Sequence, residues 1–398
     1  MKTILLVGAG NRAYELFIKP LKQENYPEAK IIGIYDINRK RAELLSLLAP
    51  YYIPVINSLN DIDNIRDLDD IVILTPDYTH VSLIAQFLKH TNAHIFCEKP
   101  LCTTLSQATY LQSLSNQLKS RISVLLNSRF MPINLEIKRI LQQGYIGVPQ
   151  TINYNWNIDL QHGAEYFRRW HSSKEKSGGL IVHKSCHHFD LLNWWLEDLP
   201  SQVSSTATTN FFTSDYEHNK NCRGCNLDCS YRIDIQRQPL IPRMYFDVEN
   251  EDGYIRDKCI FFDSNIHDDI NVTINYQKNT NVLYSINFYS ATFSWGLIMI
   301  GEYGILSTQD NPTLNQYEIL IDLFSGDKKV FHVNKNNLKH NGADLEIRKI
   351  LFSSSNNLKT GLHIGSCDEG IAASMIGILS NTSQEMGGRC ENPFITDD

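Results

Sequence analysis

Five short apolar segments divide the first third of the chain. They cover residues 3–7, 30–36, 70–76, 93–98 and 122–127. Their nearly continuous hydrophobicity is typical of strands buried on both faces of a parallel sheet, and their spacing indicates repeated βα units. The pattern therefore predicts an α/β domain over residues 1–127, with a doubly wound parallel sheet of the Rossmann type.

The pattern changes after Pro149. Apolar and polar residues alternate over residues 150–158, 271–276, 282–289 and 317–323, and a further apolar strand covers residues 297–300. Alternation is typical of half-exposed antiparallel strands. We expect a second α/β domain over residues 128–398, with a large, mostly antiparallel sheet and a late amphipathic helix over residues 368–379.

A glycine-rich turn follows the first apolar segment. Gly8-Ala9-Gly10-Asn11-Arg12-Ala13 matches the dinucleotide pattern G-x-G-x-x-A between a strand and a helix. Gly8 permits the tight turn, Gly10 lets the backbone approach a pyrophosphate, and Ala13 fits the helix–strand contact. This context predicts a bound dinucleotide.

The second strand ends in Asp36, where a dinucleotide fold places the carboxylate that binds the adenosine ribose. Asp36 would repel a 2′-phosphate, which favours NAD over NADP. Arg39 and Arg41 could accommodate that phosphate, so NADP stays open. The alternative is an aspartate that simply starts a turn.

Further polar residues follow the later strands, where ligands bind in doubly wound sheets. We read them together with Gly8 and Asp36 as one site. The residues assigned to cofactor binding are Gly8, Gly10, Asn11, Arg12, Ala13, Asp36, Arg39, Thr75, Pro76, His80, Glu98, Lys99 and Asn127.

A helix entered through Gly178-Gly179 is predicted to carry the chemistry. His183, His187 and Asp190 have the spacing of one helix face. A catalytic zinc on His183 and His187 is one alternative, although Lys184 opposes a cation and the acid of the metalloprotease motif is missing. A hydrogen-bonded core histidine is the other.

Four cysteines cluster in a turn-rich insertion around residues 213–262. Cys222, Cys225 and Cys229 are closely spaced, and Cys259 follows about thirty residues later. Four thiolates could form a tetrahedral structural zinc site. A disulfide or free buried thiols are the alternatives.

Composition narrows the class of protein. The 398 residues carry a net charge of -7 with dispersed charges, which argues against a nucleic-acid or membrane surface. No apolar run approaches the length of a membrane span. The start is better explained as a strand than as a signal peptide, and nine cysteines, mostly isolated, indicate a reducing cytoplasm.

In order and spacing, these motifs resemble the Gfo/Idh/MocA oxidoreductases, named after glucose–fructose oxidoreductase and inositol dehydrogenase. The resemblance rests on the glycine turn, Thr75-Pro76 with His80, Glu98-Lys99-Pro100, Gly178-Gly179 before His187, and the final Gly365-Ser366 segment. It implies a Rossmann domain followed by an α/β domain with an open sheet that often forms oligomers. We therefore expect a homodimer or homotetramer.

The resemblance also implies roles for individual residues. Lys99 matches the catalytic lysine and His187 the general acid/base, whereas His183 stands where the family has an aspartate. With Lys184 beside it, this departure favours an acidic or phosphorylated sugar. The candidate substrate contacts are Lys99, Arg129, Tyr154, Tyr166, Arg168, Arg169, His183, Lys184 and His187, and the catalytic set is Lys99, His187 and His183.

The predicted reaction is hydride transfer between nicotinamide and a carbinol carbon of a sugar, sugar derivative or polyol. Neutral His187 would take the hydroxyl proton and Lys99 would stabilise the developing alkoxide. Glu98 would orient Lys99 or the nicotinamide ribose. An NAD-dependent glycoside hydrolase acting by transient oxidation and elimination, and a non-catalytic sugar or dinucleotide sensor, are the alternatives.

Overall fold

The computed structural model describes residues 1–60, 68–213, 220–234, 240–353 and 364–395. These residues form two sheets. The strands, β1 to β15, are Lys2–Val7, Ala29–Tyr35, Asp70–Ile73, His94–Cys97, Ile122–Val124, Pro149–Asp159, Pro200–Thr208, Asp269–Tyr276, Asn281–Ser290, Ser294–Gly301, Gly304–Asn311, Gln316–Leu323, Lys328–Asn334, Gly365–Ser366 and Cys390–Glu391.

The first sheet has the order β14-β5-β4-β3-β1-β2. Strands β1 to β5 pair in parallel, and β14 joins the edge antiparallel to β5. The central strand β3 is buried at every residue, as expected when helices cover both faces. The predicted doubly wound Rossmann sheet is confirmed.

The second sheet has the order β13-β12-β11-β10-β6-β9-β8-β7-β15. Its neighbours are antiparallel except for β6 and β9, which are parallel. Burial alternates along β8, where Ile270, Val272 and Ile274 are buried and the residues between them are exposed. The mostly antiparallel sheet is confirmed, although the sequence analysis did not predict β7, β11, β13 or β15.

The α-helices, α1 to α14, are Asn11–Ala13, Arg39–Leu48, His80–His90, Leu105–Ser113, Asn116–Lys119, Pro132–Gln142, Leu160–Arg168, Lys174–Ser177, Leu180–His183, Cys186–Leu196, Ile241–Tyr245, Glu249–Asp252, Ala343–Leu351 and Cys367–Met386. A π-helical segment, Tyr14–Ile18, continues α1. Across the described ranges, no helix is both long and apolar enough to cross a bilayer.

Helix α14 packs against elements of both sheets, including β5 and β7, and against α9 and α10. Two glycines permit this approach. A Cβ on Gly377 would lie 2.7 Å from the Ile181 carbonyl oxygen, and one on Gly370 would lie 2.4 Å from Val124 Cγ2. The core helix thereby fixes the position of α9, which carries His183.

The single helix predicted to carry His183, His187 and Asp190 is wrong in one respect. The Gly178-Gly179 turn is present, with φ of +71° and +78°. The helix then stops at His183 and restarts at Cys186, so α9 and α10 are separate. The Ser185 hydroxyl accepts a hydrogen bond from Tyr284 and does not cap α10, which ties this break to β9.

Late segments return to the first domain. Helix α13 contributes Ala343, Ile347 and Leu351 to a core shared with Ile4 and Leu6 of β1, and β14 extends the first sheet. The division at residues 127 and 128 stays a prediction, because the first sheet and its core also include residues beyond 340.

Candidate active site

One cleft of about 2080 Å³ connects the strand ends of the first sheet with the segment 162–188 and with the cysteine-rich insertion. Gly8, Asp36, Thr75, Glu98, Lys99 and Asn127 all line it, as do His183, Lys184 and His187. The structure therefore brings the predicted catalytic residues and all the predicted cofactor residues except Ala13 and His80 to one cavity.

The glycine turn has the conformation that its sequence predicts. Gly8 has φ of +103°, and a Cβ there would lie 2.8 Å from the Leu74 carbonyl carbon. Gly10 precedes α1, and Ala13 is fully buried behind the turn. The backbone N–H of Asn11 donates to the Tyr245 hydroxyl oxygen at 2.8 Å. Tyr245 belongs to the insertion, which therefore covers the turn.

Asp36 lines the cleft at the end of the second strand. Its carboxylate accepts hydrogen bonds from the backbone N–H groups of Ala9 and Asn38, at 2.7 and 2.8 Å, and pairs with Arg41 at 3.1 Å. Arg41 also pairs with Asp252 of the insertion. Arg39 instead contacts Glu43 on its own helix.

Arg12 links three elements beside Glu98 in the cleft. Its Nε contacts Glu98 at 2.5 Å and its Nη1 contacts Asp344 at 3.0 Å. Asp344 also accepts a hydrogen bond from Asn127 Nδ2 at 3.0 Å, which leaves the buried Asn127 Oδ1 without a donor among the described residues. Burial opposes ionisation of Asp344, but His340 and Arg12 more than offset it and lower its pKa.

Glu98 does not touch the Lys99 ammonium. Its carboxylate accepts from Arg12 and from the Lys99 backbone N–H. The Lys99 Nζ instead donates to the His183 carbonyl oxygen at 2.9 Å.

Three predicted cofactor residues form the loop after β3. Thr75 and Pro76 line the cleft, and the Thr75 hydroxyl lies 2.6 Å from that of Thr79. His80 is fully buried behind this loop. Its Nδ1 lies 2.8 Å from the Pro100 carbonyl oxygen and its Nε2 lies 2.9 Å from that of Thr75. His80 holds two strand ends together and does not line the cleft.

The two candidate proton carriers have different partners. His183 Nδ1 lies 2.6 Å from an oxygen of the buried Asp77, and His187 Nδ1 lies 3.1 Å from the Ser128 hydroxyl. Burial, and then the nearby Lys99, lower the pKa of both imidazoles well below the usual value. Both rings are therefore neutral near pH 7, the state that accepts a proton.

Asp190 and Arg129 occupy other surroundings. Arg129 Nε and Nη2 pair with the two Asp190 oxygens at 2.9 and 2.6 Å, and Nη1 contacts Glu369 at 2.6 Å. Both residues of the first pair are buried. Such a bidentate buried pair positions α10 against α14, whereas Arg129 was predicted to contact substrate.

The other predicted substrate residues all line the cleft. Tyr154 is buried against Trp156 and Trp295. The Tyr166 ring packs edge-on against His183. Arg168 holds the insertion, because its guanidinium donates to the Tyr231 and Lys258 carbonyl oxygens.

The four cysteines of the insertion line a second, small cavity of about 20 Å³. All are free thiols. Within the described ranges, no three His, Cys, Asp or Glu side chains are arranged to hold a metal ion, which also leaves His183 and His187 without a third ligand. Residues 214–219 and 235–239 of the insertion lie outside the described residues.

Several cleft residues were absent from the prediction. Asp77 and Ser128 carried the strongest sequence signal, because each directly follows a predicted strand end. His171 and Trp170, whose rings pack on His183, lie in an irregular segment. Tyr245, Asp252 and Arg256 belong to the insertion, where no periodicity shows which residues turn towards the cleft.

One cavity contains a glycine turn typical of dinucleotide sites, a lysine after a strand end and two neutral histidines. These features, on two domains, are typical of a nicotinamide-dependent oxidoreductase. Residues 2–126 match the oxidoreductase family domain with the NAD-binding Rossmann fold, and residues 138–319 match the C-terminal α/β domain of that family. The chain belongs to the Gfo/Idh/MocA oxidoreductase family.

Relatives and solved structures agree with this assignment. The chain is 28% identical to the Bacillus subtilis protein YteT, over 90% of each chain. It is 26% identical to an inositol 2-dehydrogenase of Rhizobium meliloti, over 45% of this chain and 51% of that protein. Levoglucosan dehydrogenase, solved with NADH and levoglucosan, has the same fold, with a TM-score of 0.70 at 14% identity over 98% of this chain and 99% of that one.

Proposed function

We propose that the protein is an NAD-dependent dehydrogenase that transfers a hydride between nicotinamide and a carbinol carbon of a sugar, sugar derivative or polyol. This proposal rests chiefly on one observation: Lys99, His183 and His187 line the same cleft as the Gly8 turn. Relatives named inositol 2-dehydrogenase and D-xylose dehydrogenase support this substrate class.

The residues present fit a dinucleotide. A Cβ at Gly8 would clash with the Leu74 backbone, and Asn127 Oδ1 is free to accept from a ligand. Gly8, Gly10 and Asn11 would hold the pyrophosphate, Asp36 the adenosine ribose, and Glu98 the nicotinamide end. When bound, nicotinamide supplies the hydride acceptor.

The chain itself must manage one proton and one developing negative charge. Neutral His187 takes the proton from the substrate hydroxyl, and its Ser128 contact fixes the ring. The Lys99 ammonium, held by the His183 carbonyl, donates a hydrogen bond to the same oxygen and stabilises alkoxide character.

A specific contact favours His183 as the alternative to His187 in the role of proton carrier. Its Asp77 partner can stabilise an imidazolium, as a carboxylate does for the histidine of a catalytic triad. His187 has only a hydroxyl partner. Replacing each histidine by alanine in turn separates the two assignments, because the proton carrier should cost the larger loss of kcat.

The charges around Asp36 support NAD over NADP. Three cations, Arg39, Lys40 and Arg41, each pair with a carboxylate. The four carboxylates involved are Asp36, Glu43, Glu251 and Asp252. Because every cation is already paired, a 2′-phosphate would meet excess negative charge.

Absorbance of NADH tests the reaction. A panel of sugars and polyols with NAD should show NADH formation if the dehydrogenase proposal is correct. Aryl-glycoside cleavage without net NADH would instead establish the hydrolase alternative. Ligand binding without either reaction would establish a sensor.

The exposed face of the second sheet supports a homo-oligomer. Leu283, Ile298, Leu320 and Val330 lie in one row across β9, β6, β10, β11, β12 and β13. Leu283, Ile298 and Val330 are 53%, 44% and 48% exposed. We propose a second copy as the partner of this row, and light scattering of the purified protein tests for a dimer or tetramer.

Structural zinc and a cytoplasmic location are further proposals. Cys222, Cys225, Cys229 and Cys259 line one cavity, which supports a shared ion although their side chains are not in ligating positions. Nine free thiols favour a reducing compartment. Metal analysis of the purified protein should find about one zinc per chain, and a metal-free protein with reactive thiols would contradict the zinc proposal.

A further inference from the structure

Three guanidinium groups at the catalytic end of the cleft share one carboxylate. Glu165 Oε2 contacts Arg169 and lies 3.1 Å from Arg256 Nη2, and Glu165 Oε1 lies 3.8 Å from Arg168 Nε. Arg168 and Arg256 are buried. One negative charge therefore faces three positive charges that have little access to solvent.

Two of these guanidinium groups have unused donors. Arg169 Nε and Arg256 Nη1 are buried and have no hydrogen-bond partner in the part of the chain that the structure describes, and the buried His171 Nδ1 likewise has none. All three residues line the cleft. A buried donor without an acceptor costs free energy, so the two guanidinium nitrogens indicate an acceptor that comes with a ligand.

Lys184 adds a further unpaired cation. Its ammonium has no hydrogen bond or ion pair with any described residue, and it lines the cleft beside His183 and His187. Lys184 and Arg169 both act on His162, whose pKa is lowered to about 4, chiefly by burial. Both residues line the cleft next to residues of the histidine end, since Lys184 follows His183 and Arg169 precedes Trp170, whose ring packs against that of His183.

Few carboxylates remain to balance these cations, and Asp159 is engaged as the cap of α7 by the His162 backbone N–H. Asp77 is engaged by His183, and Glu98 by Arg12. Glu175 and Asp263, which also line the cleft, are exposed at its rim.

We propose that the substrate carries an anionic group, a carboxylate or a phosphate on the sugar, bound by Lys184, Arg169 and Arg256. The reacting carbinol then faces Lys99 and His187. This inference rests on the proposed function for its reaction, but anion binding can be tested without turnover.

A cofactor pyrophosphate is the competing source of negative charge. Arg256 lies 5.9 Å from the Tyr245 ring, and Tyr245 contacts the glycine turn. Lys184 and Arg169 decide between the two, because Lys184 directly follows His183 and Arg169 directly precedes Trp170, whose ring packs against that of His183. The test must therefore measure NAD affinity and sugar affinity separately.

The experiment is calorimetric titration of the NAD-loaded protein with matched sugars. The ligands are glucose, glucuronate and glucose 6-phosphate, together with galactose and galacturonate. We expect at least one acidic sugar to bind about tenfold or more tightly than its neutral parent, with an affinity that falls as salt is added. A preference for glucuronate or galacturonate identifies a carboxylate, and a preference for glucose 6-phosphate identifies a phosphate.

Variants locate the site. Lys184→Gln removes a cation that supports no other contact, so it should fold normally and lose about tenfold of the affinity for the acidic sugar. Arg169→Gln should act in the same direction. The matched control is Lys174→Gln, a half-buried lysine outside the cleft lining whose partner is Glu385. NAD affinity should not change in any of the three.

Equal binding of acidic and neutral sugars would overturn the inference, as would loss of NAD affinity in Lys184→Gln or Arg169→Gln. Failure of the proposed function looks different. Acidic sugars would then bind in a Lys184-dependent way without any NADH formation.

Discussion

The Lys99 ammonium donates a hydrogen bond to the carbonyl oxygen of His183 at 2.9 Å. Lys99 follows the fourth strand of the first sheet, and His183 ends α9 of the second domain. Because the helix is interrupted after His183, that oxygen is available to the lysine. The break between α9 and α10 thus positions the proposed catalytic cation.

Lys99→Met should abolish most of the activity and leave cofactor binding intact. Methionine keeps the length of the side chain but cannot donate to an oxyanion. Loss of one such donor costs on the order of 10²–10³ in kcat. NADH formation with the best substrate of the panel measures this loss, and titration with NAD provides the control. Turnover near the wild-type rate would remove Lys99 from the mechanism.

Asp77→Asn should distinguish the two proton carriers. In its ionised form Asp77 would accept from the imidazolium that forms when His183 takes a proton, across the 2.6 Å contact. Asparagine would accept more weakly, so the pKa of that imidazole should fall further. If His183 carries the proton, kcat should fall roughly 10²-fold or more and the acidic limb of the kcat–pH profile should move to lower pH. Ser128→Ala, which removes the partner of His187, is the matched variant. A large effect of Ser128→Ala with none of Asp77→Asn would assign the proton to His187.

Local sequence patterns were enough to identify most of the strand-end residues that the structure brings together in the cleft. Gly8 and Glu98 lie at strand ends. Strands and turns can be recognised from the hydrophobicity and residue types of a few neighbouring positions. Parallel strand order then brings these ends together. Four strands of the second sheet, β6, β8, β9 and β12, followed from alternation in the same way.

Contacts between distant residues could not be predicted. Asp77 and His183 are 106 positions apart, and the sequence does not show which carboxylate pairs with which imidazole. Arg129 was predicted as a substrate contact, but Asp190 and Glu369 hold its guanidinium. The return of α13 and β14 to the first domain depends on packing between distant segments, which the hydrophobic pattern of neighbouring residues does not indicate.

Asp252→Asn should weaken the preference for NAD over NADP. Arg41 pairs with both Asp36 and Asp252, so loss of one carboxylate should make its guanidinium available to a 2′-phosphate. We expect NADP affinity to rise roughly tenfold, the scale of one charge-assisted hydrogen bond. Fluorescence titration with both cofactors gives the ratio. Glu43→Gln, which breaks the exposed pair with Arg39, is the control and should change the ratio of affinities little. An unchanged ratio in Asp252→Asn would show that the insertion does not select the cofactor.

Acid should destabilise the protein well above the pH at which carboxylates titrate. Burial lowers the pKa of His171, His183, His187 and His188 in the folded chain. Unfolded imidazoles bind protons below about pH 6.5, so the unfolded state then holds more protons and stability falls as the pH falls.

Buried carboxyl groups oppose this loss of stability at low pH, but fewer carboxyl groups than imidazoles are involved. Burial raises the pKa of Asp70 to about 6 and that of Asp77 well above its usual value, so these two groups gain protons on folding in the same pH range. Two carboxyl groups offset only part of the effect of four imidazoles. We therefore expect Tm to be level from pH 8 to about 7 and to decline below about pH 6.5. His188→Gln should make the decline shallower, because glutamine does not titrate. A Tm that stays level to pH 5 would mean that these imidazoles accept protons without unfolding, and the neutral state assigned to His183 and His187 would then be wrong.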